Sequence, residues 1–197
     1  MNLRVVKLGG SLFDLPDLGR RVEVWLAEQT PMPTVLIAGG GMFADAVRQF
    51  DAIHQLPSPT SHQLALSSME LGSQALAALL PTLDFIREAD RLRLGLASAA
   101  QGICADSYVG VWNVIDYWRS EVEPTLSLTS LDWTLTSDSI AATLAHRWQA
   151  DSLVLLKSCD RPGETVSDWA QAGVVDPQFT TAALGVNVTW GNLRGRN

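Results

Sequence analysis

The first 55 residues hold the same unit twice: a short apolar run, a cluster of glycines, then apolar residues at helical spacing. "LRVVKL" (3–8) runs into Gly9, Gly10 and Ser11. "DLPDLGRRVEVWLAEQ" follows, with Leu15, Leu18, Val22, Trp25 and Leu26 on one helical face and Pro16 suited to a first turn. "TVLIA" (34–38) runs into Gly39, Gly40 and Gly41, after which "MFADAVRQF" sets Phe43, Ala46, Val47 and Phe50 on one face. Two β–glycine–α units in succession predict an α/β protein with a parallel sheet and helices packed on its faces. At 197 residues the chain has room for one sizeable core, and a single domain over 1–197 is expected.

Beyond this unit the pattern varies. "QLPSPTS" (55–61) reads as a proline-broken loop, and 62–80 as a helix apolar on nearly every face, suited to burial or to a dimer interface. "RLRLGLAS" (91–98) and "GVWNVIDYW" (110–118) read as possible strands, and 82–125 gives no clear order. Clarity returns with a strand-like "WTL" (133–135), a helix through Ile140, Ala141, Leu144, Ala145 and Trp148, and a buried strand at 152–156. A turn, a short helix and a last strand close the chain.

Charge and cysteine content exclude several functions. The net charge of −7 argues against a nucleic-acid partner, which needs a basic face. No apolar run approaches a membrane span and no leader pattern precedes the first strand, so no membrane partner is expected. Cys104 and Cys159 have no metal spacing and suit a reduced, cytoplasmic setting. His54, His62 and His146 lack partners at ligand spacing, so no zinc site is predicted.

The lysines point to chemistry. Of 14 basic residues, 12 are arginine and two are lysine, Lys7 and Lys157, each at the end of a β-like run. A compact ammonium at those two places suggests a task that a planar guanidinium performs badly. Glycine loops that open helices can cradle an anion, or can be tight turns and nothing more. No Walker A loop or G-x-G-x-x-G fingerprint occurs. Lys7, Gly9, Gly10, Ser11, Gly39, Gly40, Gly41, Asp138 and Lys157 all fall at or just beyond predicted strand ends, where ligands of open α/β sheets lie. Two ammonium groups, backbone donors and an orienting carboxylate form a candidate phosphoryl-transfer site. The plainer reading makes Asp138 the N-cap of a helix starting near Ser139, and Lys157 a surface lysine.

"VVKLGGSL", "VLIAGGGMFADAV" and "TSDSIAATLA…ADSLVLLKSCD", in that order, resemble the amino acid kinase family. The resemblance implies a three-layer αβα sandwich with a mainly parallel sheet, an acceptor site in the N-terminal part and an ATP site in the C-terminal part. It implies that Lys7 stabilises charge on the transferred group, that Gly9, Gly10 and Gly40 donate N–H bonds to it, and that Asp138 organises the lysines. Thr136, Ser137 and Asp160 are assigned to the ATP side, with Mg²⁺ arriving on the nucleotide. Many family members carry a lysine near the C-terminus that touches the ATP phosphates. "GVVDPQF" (173–179) has none, and Lys157 is the candidate substitute.

The short chain, the 61–80 segment and "GVVDPQF" together resemble a small subgroup associated with methanofuran-type cofactor synthesis. Its archaeal members resemble a kinase that converts [5-(aminomethyl)furan-3-yl]methyl phosphate to the diphosphate. Such an acceptor is already anionic, which suits a site without an obvious base. Asp51, His62 and Met69 are the candidate acceptor contacts, with Asp116 and Trp133 as further ones. The resemblance also implies a homodimer or higher homo-oligomer. The competing readings are an ATP-binding storage or regulatory protein on the same fold, and a kinase for another small phosphate or carboxylate.

Overall fold

A computed structural model of the chain describes residues 3–101, 108–126 and 135–195. Trp133, Cys104 and most of the "WTL" strand candidate lie outside the described residues. Among the described residues the strands are β1 (Arg4–Leu8), β2 (Thr34–Ala38), β3 (Asp84–Ile86), β4 (Val109–Trp112), β5 (Ser152–Lys157) and β6 (Val188–Asn192). They form one sheet in the order β3-β4-β2-β1-β5-β6, with every neighbouring pair parallel. The helices are α1 (Leu18–Ala27), α2 (Gly41–His54), α3 (Ser58–Leu79), α4 (Ala89–Ala100), α5 (Ile115–Tyr117), α6 (Ser137–Arg147), α7 (Val166–Gln171) and α8 (Phe179–Ala182).

Both faces of the sheet are covered, which is why β1 and β2 are buried along their whole length and read as largely apolar runs. On one face Val5, Ile37, Leu153 and Leu155 join Ile140, Ala141 and Leu144 of α6. On the other, Val6, Leu8, Leu36 and Leu156 join Leu18, Val22 and Trp25 of α1. The result is the three-layer αβα arrangement. Helix α3 belongs to both layers, with Leu66 and Met69 in the first cluster and Leu76 in the second. It passes the end of β2, where Gly72 lies against the carbonyl of Gly39.

Several expectations need correction. Residues 91–98 lie within α4, and only 110–112 of the other run falls in a strand, β4. Pro16 precedes α1, whose N-cap is Asp17. The proline-rich 55–61 segment already starts α3 at Ser58, with a proline in its first turn. The predicted apolar face of α2 is not a core face: Ala44 is its buried residue, and Phe50 is half exposed.

The order of strands fixes where a ligand can bind. From β1 the chain moves to β2 on one side, and from β5 to β6 on the other. The crevice beyond β1 and β5 is therefore the topological switch point of the sheet.

Candidate active site

Register places the two lysines together. Lys7 of β1 pairs with Leu155 of β5, so Lys157, two residues on, projects from the same face as Lys7. That face is the one covered by α6, whose second residue is Asp138. Lys7 Nζ lies 2.8 Å from Asp138 Oδ1, and Lys157 Nζ donates to Asp138 Oδ2 at 2.8 Å. All three side chains are buried. Asp138 therefore bridges both ammonium groups and is not the N-cap of its helix.

Burial opposes the charge on Asp138, but Lys7 and Lys157 outweigh it and hold the carboxyl below its ordinary range. Burial also dominates at Lys157. Reinforced by the charge of Lys7 and only partly offset by Asp138, it brings the ammonium down from 10.5 to about 8. Lys157 Nζ also donates to Val174 O at 2.6 Å and lies 5.9 Å from the centre of the Trp190 ring. The "GVVDPQF" segment, which lacks a lysine of its own, is thus met by the ammonium of Lys157.

The two glycine loops touch. A Cβ on Gly10 would collide with the backbone of Gly41, which itself sits at φ +53°, a region that favours glycine. Not every loop N–H is available. Gly9 N–H donates to Leu156 O at 2.7 Å and Gly39 N–H to Leu8 O at 2.9 Å, so both are held by the sheet ends. Among the described residues the N–H groups of Gly10, Gly40 and Gly41 make no backbone bond and stand at helix starts. Ser11 is exposed and lines the same cavity as Gly10, its hydroxyl 2.8 Å from that of Ser158.

These groups border a cavity of about 280 Å³. Its polar end is Lys7, Gly10, Gly40, Gly41, Ser137 and Asp138. Leu66, Met69, Leu135 and Ile140 supply an apolar wall, and Arg48 and Asp45 stand together at 2.6 Å. His62 and Met69 both line it, as does Thr136. Asp51 does not: its carboxylate accepts the N–H of Leu56 at the far end of α2. Asp160 is exposed and accepts from Asn192 Nδ2 at 2.8 Å. Asp116 borders a separate surface hollow with Tyr117 and Arg93.

Some participants had no sequence signal. Arg48 was hidden on a helix read only for its apolar face. Glu123 stands behind His62, its Oε1 3.4 Å from the ring Nε2 and its Oε2 buried without a partner. Asp176 accepts hydrogen bonds from Thr136 and Ser139 at the start of α6, and nothing near it in sequence announces that contact.

The described residues contain no group of three or more His, Cys, Asp or Glu that could hold a metal. Both oxygens of Asp138 face lysines and both of Asp176 face α6, so these carboxylates do not fit a resident Mg²⁺. No described helix is long and apolar enough to cross a membrane.

Comparison with known proteins identifies the family and the fold. The model of the amino acid kinase family matches residues 2–161. A curated relative, the [5-(aminomethyl)furan-3-yl]methyl phosphate kinase of Methanocaldococcus jannaschii, is 33% identical over 78 residues, which is 39% of this chain and 36% of that one. The match thus spans about a third of that relative's length. Uridylate kinase from Archaeoglobus fulgidus superposes with a TM-score of 0.59 at 14% identity, covering 98% of this chain and 92% of that one. Aspartate kinase from Synechocystis gives 0.59 at 16%, covering 95% of this chain and 38% of that one. At such identities the two structures share the fold.

Proposed function

The chain belongs to the amino acid kinase family, and we propose that it transfers the γ-phosphoryl group of ATP to a small anionic acceptor. The acceptor we propose is [5-(aminomethyl)furan-3-yl]methyl phosphate, which would become the diphosphate in methanofuran-type cofactor synthesis. The observation that carries the reading is the Lys7–Asp138–Lys157 bridge, of which Lys7 and Asp138 line a cavity that Gly10, Gly40 and Gly41 also border. The partial match to a kinase of that name supports the choice of acceptor.

Phosphoryl transfer asks for positioning and charge stabilisation more than for covalent work by the protein. Lys7, between the cavity and Asp138, would face the transferred group, with Gly10, Gly40 and Gly41 donating to its oxygens. Lys157 would face the donor phosphates from the side where the 173–179 segment has no lysine. Asp138 keeps both ammonium groups aimed and does not act as a base, since a phosphate acceptor is already an anion. The acceptor would lie along Leu66, Met69 and Ile140, with His62 and Arg48 as its polar contacts. Thr136 and Ser137 flank the transfer point. Mg²⁺ would ride on the nucleotide phosphates, held by phosphate and water.

We place this reaction in the cytoplasm, in a homo-oligomer formed through α3, whose Leu71 and Leu79 are exposed. Sedimentation velocity is expected to give a dimer or larger species; a monomer at micromolar concentration would remove that part of the reading. The activity is tested by ADP release. Release should depend on both Mg-ATP and the furan phosphate, and fall to background in Lys7→Ala. Release that ignores the acceptor would refute the acceptor assignment.

A further inference from the structure

Helix α6 is capped from elsewhere in the chain. Its N-cap residue, Thr136, makes no side-chain cap bond of its own. Asp176, 7% exposed and 40 residues further on, performs that task. Its Oδ2 accepts from Thr136 Oγ1 at 2.7 Å, Ser139 N–H at 3.1 Å and Thr136 N–H at 3.3 Å. Its Oδ1 accepts from Ser139 Oγ. Asp138 stands between the two residues so held. Two positions before Asp176, Val174 O accepts from Lys157 Nζ at 2.6 Å. One short segment therefore fastens two members of the lysine bridge.

We infer that Asp176 is a positioning residue of this site: it fixes the first turn of α6 with Asp138 aimed between the lysines, and adds a second negative charge that acts on the Lys157 ammonium. Lys157 Nζ meets Asp138 on α6, Val174 O in the 173–178 segment and the Trp190 ring on β6, and the charges of Lys7 on β1 and of Asp176 in that same segment also act on it. Burial and Lys7 lower its protonation, while Asp138 and Asp176 oppose that effect. Loss of the Asp176 charge lowers it further. A carboxylate that merely caps a helix would change stability and leave Lys157 untouched.

Having only two lysines makes the test direct. Protein labelled with carbon-13 lysine gives two sets of side-chain signals, which can be followed from about pH 6 to about pH 11. The wild-type chain should show one ammonium titrating near 8. In Asp176→Asn, which keeps an acceptor oxygen, that midpoint should fall by roughly one unit. An unmoved midpoint together with a lower melting temperature overturns the inference, leaving a cap alone. Should Asp176→Asn not fold, Thr136→Val serves in its place. Loosening the first turn draws Asp138 from Lys157 and should also lower the midpoint, and an unchanged titration overturns the inference there too.

The kinetic counterpart rests on the phosphoryl-transfer reading. In Asp176→Asn, kcat should fall about 10- to 100-fold with a smaller change in KM for ATP. A shifted titration supports Asp176 whether or not turnover is found, so failure of the kinase reading and failure of this inference give different results.

Discussion

Lys7 and Lys157 each place a single point charge against one oxygen of Asp138, at the same 2.8 Å. A guanidinium is larger and planar and spreads its charge over a rigid fork, so at the buried Lys7 position it does not place one compact charge between the carboxylate and a phosphoryl oxygen. Lys7→Arg is accordingly expected to lose about 100-fold or more in kcat, close to the loss in Lys7→Ala, with ATP affinity much less affected. Steady-state rates beside calorimetric ATP binding check this; an arginine variant with near wild-type turnover would contradict the role of Lys7. Lys157, with its ammonium at about 8, gives a pH signature. If charge there is needed, kcat/KM for ATP falls as pH rises through about 8, and this limb is absent in Lys157→Met. The stability effect has the opposite sense. The folded value lies below the ordinary 10.5, so between about 8 and 10.5 the unfolded chain holds this proton and the folded chain does not. Stability from this group therefore rises across that window, and the wild-type melting temperature should gain on that of Lys157→Met.

At the scale of elements, α3 is set by how closely it approaches the loop after β2. A Cβ at Gly72 would collide with the carbonyl of Gly39. Glycine to alanine inside a helix ordinarily gains about 1 kcal/mol. Here the sign should reverse: Gly72→Ala is expected to lose stability and to weaken anion binding by displacing Gly39 and Gly40. A denaturant midpoint raised by the substitution would contradict this packing. The same scale explains what the sequence could reveal. β1, β2 and β5 are readable because both faces of the sheet are covered, leaving apolar runs with polar residues only at their starts (Arg4, Thr34, Ser152) and at Lys7 and Lys157. α4 was misread because Leu92, Leu94 and Leu96 alternate like a strand. Leu92 and Leu96 are buried one helical turn apart, while Leu94 is 69% exposed. Asp51 lies close to Gly41 in sequence, but ten residues of helix carry it about 15 Å along the axis of α2, beyond the cavity. Asp176 has no local signature in the sequence, because the carboxylate that caps α6 comes from a segment 37 residues beyond Ser139.

The whole molecule brings its two halves to one crevice. The N-terminal units supply Lys7, both glycine loops and the α3 wall. The C-terminal part supplies Asp138, Lys157 and the segment holding them. The N-terminal half lacks the bridging carboxylate and Lys157, and the C-terminal half lacks Lys7 and the glycine loops, so transfer would need the complete sheet with β1 and β5 side by side. Phosphorus-31 NMR of the protein with Mg-ATP and [5-(aminomethyl)furan-3-yl]methyl phosphate tests the account most directly. It predicts diphosphate signals that grow in step with ADP, lost in Lys7→Ala. A spectrum in which the furan phosphate persists unchanged while the folded protein binds ATP would contradict it.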